Sequence, residues 1–291
     1  MIELHERLSE FSYGYGVTRE VELLLQDVGL SAVPFMPSLI HEKQIGFDVG
    51  FDRRGAPLLL QFKLGQSLAR FRRTSPNQSI PALDRPFWRF GVDTAEPDGQ
   101  FETLLKAEMD GAEVFYVAPR FSDWPHYARA FEDGEVLIRS VMLRPSEIRR
   151  ALVGKGAPDG QHRIVYDRAG IHVCSEPTWV RDVQPRQALD LFASRIRSEG
   201  RTLEASLENV LKGFDDRSAV RRPVKQARSD DDARRYPVAG RAAPSYTITE
   251  RRRRLQGIRA RSRSEPEAVA AAVGTELWML GIQMIMAVDD G

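Results

Sequence analysis

Cysteine is almost absent. The 291-residue chain holds a single one, Cys174, which excludes an internal disulfide framework and any cysteine-based structural zinc cluster. No secretory leader is expected either, because Met1-Ile2-Glu3-Leu4-His5-Glu6-Arg7 lacks a basic stretch followed by an apolar one. The expectation is an intracellular, cytoplasmic protein. Net charge is equally scarce: 42 Lys+Arg stand against 41 Asp+Glu, which excludes an overall polycation or an acidic tail protein. No internal repeat is visible. What the chain does have is apolar content, 42% against 29% charged residues. Its length suits one large domain or two modest ones, at roughly 100–200 residues each.

The near-zero balance conceals an asymmetry. Lys212 to Arg263 contains 14 Arg and 2 Lys against 5 Asp and 1 Glu, a net of +10. Ser264 to Gly291 carries −5, which leaves residues 1–211 at −4. A mildly acidic body with a strongly basic segment suggests a polyanionic partner, although a solvated linker would have the same composition.

Hydrophobic spacing predicts helix over 3–29, interrupted at Tyr13-Gly14-Tyr15-Gly16 so that two helices result, the second capped by Thr18 and closed at Gly29. Two prolines make Val33–Leu39 an irregular or edge strand. Ile45–Phe51 and Ala56–Phe62 read as strands of a hairpin turning at Asp52-Arg53-Arg54-Gly55. Phe87–Val92, Glu113–Ala118 and Val136–Leu143 read as further strands, and Gln100–Asp110 as an amphipathic helix. His162–Tyr166 and Gly170–Cys174 suggest another hairpin, and Gln184–Leu211 is helical in pattern. The order is that of a mixed α/β protein.

Residues 213–248 have few bulky apolar groups and are expected to be disordered, because they cannot bury enough surface to offset chain entropy. Thr249 can cap a short basic helix, Glu250–Ala260, containing Arg251, Arg252, Arg253 and Arg254. The apolar stretch Ala268–Val288 has transmembrane length but holds Glu276, Gln283, Gly274 and Gly281. It is expected to be a helix docked on the body or on a partner protein, or used for self-association. A membrane role is not expected.

The chemistry concentrates in the expected 45–62 hairpin and the residue that follows it. Alternation puts Asp48 opposite Phe47 and Val49, between Gly46 and Gly50, while Gln61 and Lys63 share one strand face. Paired in register, the three would meet on one polar spot where the glycines leave room for a phosphate. A carboxylate and an amide oxygen are hard ligands suited to Mg²⁺. Lys63 could then neutralise charge that develops on a phosphoryl group.

A helix bearing an acid (Glu20), a strand bearing an acid (Asp48), and Gln61-Phe62-Lys63 on the next strand resemble the PD-(D/E)XK nuclease superfamily in a Gln-x-Lys form. The resemblance covers roughly residues 1–120. It departs from the usual pattern at Gln61, where an acid is the rule, and before Asp48, which no proline precedes. It implies a restriction-endonuclease-like mixed sheet flanked by helices, with Mg²⁺ (or Mn²⁺) held by Asp48, Gln61 and Glu20, and with Lys63 activating water. The implied activity is metal-dependent cleavage of nucleic acid, DNA before RNA, as in bacterial antiviral defence or DNA processing. The alternative is a nuclease-like subunit without activity that binds nucleic acid or a protein. The expected organisation is an α/β body over 1–180, a helical extension over 181–211, a basic linker over 212–263 and an apolar docking helix over 264–291.

Arg70, Arg72 and Arg73, expected on a helix after Lys63, could contact phosphates, as could Arg251–Arg254. His172 with Cys174 could form a thiolate–imidazole pair, but packing is the simpler account. The same holds for Phe87-Trp88-Arg89-Phe90 as an apolar strand, and for His41-Glu42 as a solvated loop.

Overall fold

The computed structural model describes residues 8–36, 49–71, 73, 79–96, 99–174, 176–219 and 248–291. The first helix, α1 (Glu10–Asp27), opens at Ser9, whose hydroxyl accepts from the Ser12 N–H. It runs unbroken through Tyr13–Gly16, so the expected interruption does not occur. The glycine there serves close packing: a Cβ on Gly14 would sit 2.7 Å from the Phe62 ring. Tyr13, fully buried, meets that ring edge-on at 6.0 Å.

Ten strands form two five-stranded sheets among the described residues. The first contains β1 (Leu30–Pro34), β2 (Gly55–Phe62), β5 (Glu113–Pro119), β6 (Ser140–Leu143) and β10 (Ile282–Asp289), in the order β1-β10-β2-β5-β6. β2 and β5 are parallel, and the other neighbours are antiparallel. The second sheet is antiparallel throughout, in the order β3 (Gln66–Leu68), β4 (Phe87–Asp93), β7 (Gln161–Tyr166), β8 (Ile171–Cys174), β9 (Pro177–Trp179).

The remaining helices are α2 (Gln100–Met109), α3 (Trp124–Asp133), α4 (Pro145–Val153), α5 (Pro185–Glu199), α6 (Leu203–Ala219), α7 (Ile248–Arg259) and α8 (Glu265–Met279). One face of the first sheet, with Leu58, Leu60 and Ile285, packs on α1, α3 and α5. The other, with Leu59, Tyr116 and Met284, packs on α2, α6, α8 and the inner face of the second sheet. All eight residues of β2 are buried, which is why it reads as a continuous apolar run. Trp88 and Phe90 point into this core, whereas Arg89 lies on the outer face with its guanidinium donating to Gln66 Oε1 at 2.8 and 3.1 Å.

Several sequence expectations change. The hairpin of 45–51 with 56–62 is not formed, because β10 and β5 occupy the two edges of β2. Val49 and Gly50 have no regular structure, Phe51 and Asp52 lie in a turn, and residues 45–48 lie outside the described residues. Ala268–Val288 is not a single docking helix. α8 ends at Met279, Gly281 takes a left-handed φ of 75°, and the chain returns as β10 in the middle of the sheet. Val136–Leu143 becomes a strand only from Ser140, and 184–211 divides into α5 and α6 at left-handed Gly200. Within the basic segment, 220–247 lies outside the described residues, while α7 packs against α8.

The protein is therefore an α/β protein with a mixed sheet flanked by helices and a second, antiparallel sheet. No helix among the described residues is long and apolar enough to cross a membrane.

Candidate active site

The carboxyl end of β2 brings the polar side chains together. Lys63 extends the parallel ladder one step, its N–H donating to the Val117 carbonyl at 3.0 Å. Its Nζ donates to Gln100 Oε1 at 2.7 Å, on the first turn of α2. Gln100 is itself oriented, because its Nε2 donates to the Leu280 carbonyl at 2.6 Å, in the turn before β10. Burial pushes the Lys63 pKa below the ordinary lysine value, and the charge of Glu10 opposes that shift. Glu10, on the first turn of α1, has its pKa raised above the ordinary glutamate value by its own burial, with Lys63 pulling it back. Each group thus lies within the other's field at a half-buried site, and burial makes each less committed to its charge than in solvent.

Gln61 is 1% exposed. Its Nε2 donates to the Phe62 carbonyl at 2.9 Å, whereas Oε1 is buried without a hydrogen-bond partner. Its register partner on β5 is Tyr116, also fully buried, whose hydroxyl has no partner either. Phe90 and Phe101 stack on the Tyr116 ring, each at a centroid distance of 6.3 Å. A buried amide oxygen left unpaired costs free energy that an apolar residue here would avoid.

Glu20 does not meet Lys63 in the way the resemblance implies. Its two oxygens accept the Val136 and Leu137 N–H groups at 2.8 and 2.7 Å, in the turn before β6. Burial raises its pKa and the two backbone bonds pull it down. The helix acid that acts on Lys63 is Glu10, which opens α1 ten residues earlier. Asp48 lies outside the described residues. Among the described residues no group of three or more His, Cys, Asp or Glu side chains could hold a metal ion.

The arginines divide. Arg70 sits exposed in a bend after β3, Arg73 is exposed beyond it, and neither stands on a helix; Arg72 lies outside the described residues. Arg251–Arg254 do lie on a helix, α7. Arg253 is exposed, but Arg254 forms an ion pair with Glu276 of α8 at 3.0 Å. Cys174 is buried, which pushes its thiol up to about 12, and His172 is pushed below the ordinary histidine value, so the pair is no thiolate–imidazole couple.

Sequence reading missed Glu10 and Gln100. Ser9-Glu10 was visible as a helix-opening pair and Gly99-Gln100 as another, but nothing local links either to Lys63. No known protein family, curated protein or solved structure matches the chain. The class is thus set by architecture alone: a two-sheet α/β protein with a half-buried lysine, hydrogen-bonded to Gln100, at the end of a central strand.

Proposed function

We propose that the protein is a metal-dependent nuclease of restriction-endonuclease-like build, cleaving phosphodiester bonds in DNA before RNA. The observation that carries this reading is Lys63: a half-buried cation at the end of a central strand, two residues after Gln61, held by Gln100 and within the field of a helix acid. The succession of α1, β2, α2 and parallel β5 supports the same reading. Gln61 Oε1 is a buried oxygen lacking a donor, and such an acceptor fits a hard, oxygen-seeking cation. Gln61 would hold Mg²⁺ or Mn²⁺ together with Asp48. When bound, the ion would polarise the phosphoryl group and acidify a water. Lys63 places a positive charge where negative charge builds on the phosphoryl oxygens, and its desolvation strengthens that interaction. Gln100 keeps the ammonium pointed, and Glu10 tunes its proton affinity.

A second reading, a nuclease-like subunit that binds without cutting, is favoured by the lack of a three-acid group among the described residues. Incubating the protein with single- and double-stranded DNA and RNA, in Mg²⁺, Mn²⁺ or EDTA, separates the two. Cleavage that needs the metal and disappears in Lys63→Met supports the nuclease. Binding of the same strands without cleavage in any metal establishes the subunit. Gln61→Glu adds a readout independent of turnover: if Gln61 is a ligand, Mn²⁺ raises the melting temperature of this variant more than that of the wild type.

A further inference from the structure

We infer that the groove between the carboxyl end of α4 and the edge strand β9 is a binding site for single-stranded nucleic acid, with Trp179 as the surface on which a base stacks. The groove has a volume of about 340 Å³ and includes Arg150, Lys155, Trp179 and Arg181 in its lining. Trp179 is 61% exposed, unusual for so large an apolar side chain in a position with no core to fill. It is the last residue of an edge strand and the register partner of His172. Its indole lies along the Gly170 turn, where even a Cβ would come within 3.6 Å of Trp179 Nε1. The ring thus lies close to that turn while the side chain stays open to solvent.

Charge identifies the occupant. Three cations and one carboxylate, Glu147, line the groove. Glu147 pairs with Arg150 at 2.6 Å, and among the described residues no ion pair involves Lys155 or Arg181. An exposed indole sharing a groove with two cations outside any ion pair, Lys155 and Arg181, suits a chain that alternates π-faces with phosphates. A duplex hides its base faces, and an acidic peptide does not present a π-face beside every anion as a single strand does. The inference rests on the proposed action on nucleic acid and adds where a strand is held. Gln66, Arg89, Val165, His172 and Trp179 form one cross-strand row of five residues, which puts Trp179 at the opposite edge of the second sheet from β3, the strand that follows Lys63.

The test is fluorescence anisotropy of a labelled oligothymidylate of roughly a dozen nucleotides, with EDTA present so that cleavage plays no part. Wild type should bind it more tightly than a duplex of equal length. Trp179→Ala should weaken binding by roughly fivefold or more, while Trp179→Phe should retain most of the affinity. The Lys155→Gln, Arg181→Gln double variant should flatten the salt dependence by about 0.7 in log–log slope per lost phosphate contact. A cooperative thermal transition checks that each variant is folded. Unchanged affinity in both Trp179→Ala and the double variant would overturn the site. Heparin binding as tightly as the oligonucleotide, with no effect of Trp179→Ala, would overturn the stacking and leave only a cationic surface. A protein that binds here yet never cleaves would end the nuclease reading and leave this one standing.

Discussion

Lys63 donates to Gln100 Oε1 at 2.7 Å across 37 residues of sequence, and the turn between α8 and β10 in turn fixes Gln100 through the Leu280 carbonyl. The ammonium is therefore positioned through α2 by a turn more than two hundred residues further along the chain. Its surroundings lower its pKa and raise that of Glu10, an arrangement that stability alone would not favour.

Lys63→Met should make the folded protein more stable near neutral pH, by roughly 0.5–2 kcal/mol, while abolishing cleavage. The pH dependence follows from the direction of the shift. Because the folded lysine releases its proton before the unfolded one, wild-type stability gains as pH rises from the lowered value toward 10.5, so the advantage of the variant narrows in alkali. Glu10→Gln should behave in the opposite sense. The raised acid loses stability as pH climbs from 4.5 through its folded value, so this variant gains most above that window. Thermal melts across pH check both, and a Lys63→Met advantage that does not change with pH would refute the assignment.

Glu20 should prove structural. Glu20→Ala leaves the Val136 and Leu137 N–H groups buried without acceptors, at about 1–3 kcal/mol each. Urea midpoints should fall accordingly, and any cleavage per folded molecule should persist. Loss of cleavage at unchanged stability would return Glu20 to the active site.

Ile285 is fully buried on β10, opposite Leu58. Ile285→Ala should cost about 2–5 kcal/mol, the usual range for emptying a packed core position. Truncation after Met279 removes β10 from between β1 and β2 and should abolish the cooperative folding transition. A docking helix for a partner would have been dispensable; circular dichroism and melting of the truncated chain distinguish the two.

Arg253 and Arg254 should separate functionally although they are adjacent. Arg254→Gln removes the ion pair with Glu276 and should increase amide exchange in α7 with little change in the salt dependence of nucleic-acid binding. Arg253→Gln should leave α7 protected and, if its exposed charge meets a phosphate, lower the single-strand slope by about 0.7. Hydrogen exchange and a salt titration read the two effects independently.

Local pattern was enough for several features. The apolar run of Glu113–Ala118 announced a strand buried on both faces, and the spacing of Phe101, Leu104 and Leu105 announced α2, because side-chain direction repeats with the backbone period. The single cysteine excluded disulfides, and Gln61 with Lys63 marked the polar end of β2 before any partner was known. Gly14 was misleading: glycine lowers helix propensity, but here the loss is offset by letting α1 approach Phe62. The strand partners of β2 were beyond local reading. Ile282–Asp289 enters the centre of the sheet more than two hundred residues after β2 because its alternation buries Ile285 and Ala287 on one side and Met284 and Met286 on the other. Closing so long a connection costs little more than closing a short one, so burial, not proximity in sequence, selects the partner. The same physics chose Glu10 over Glu20. The sequence alone determined which residues could carry charge or pack in a core; only the tertiary structure decided that Gln100 would hold Lys63 and that the charge of Glu10 would reach it.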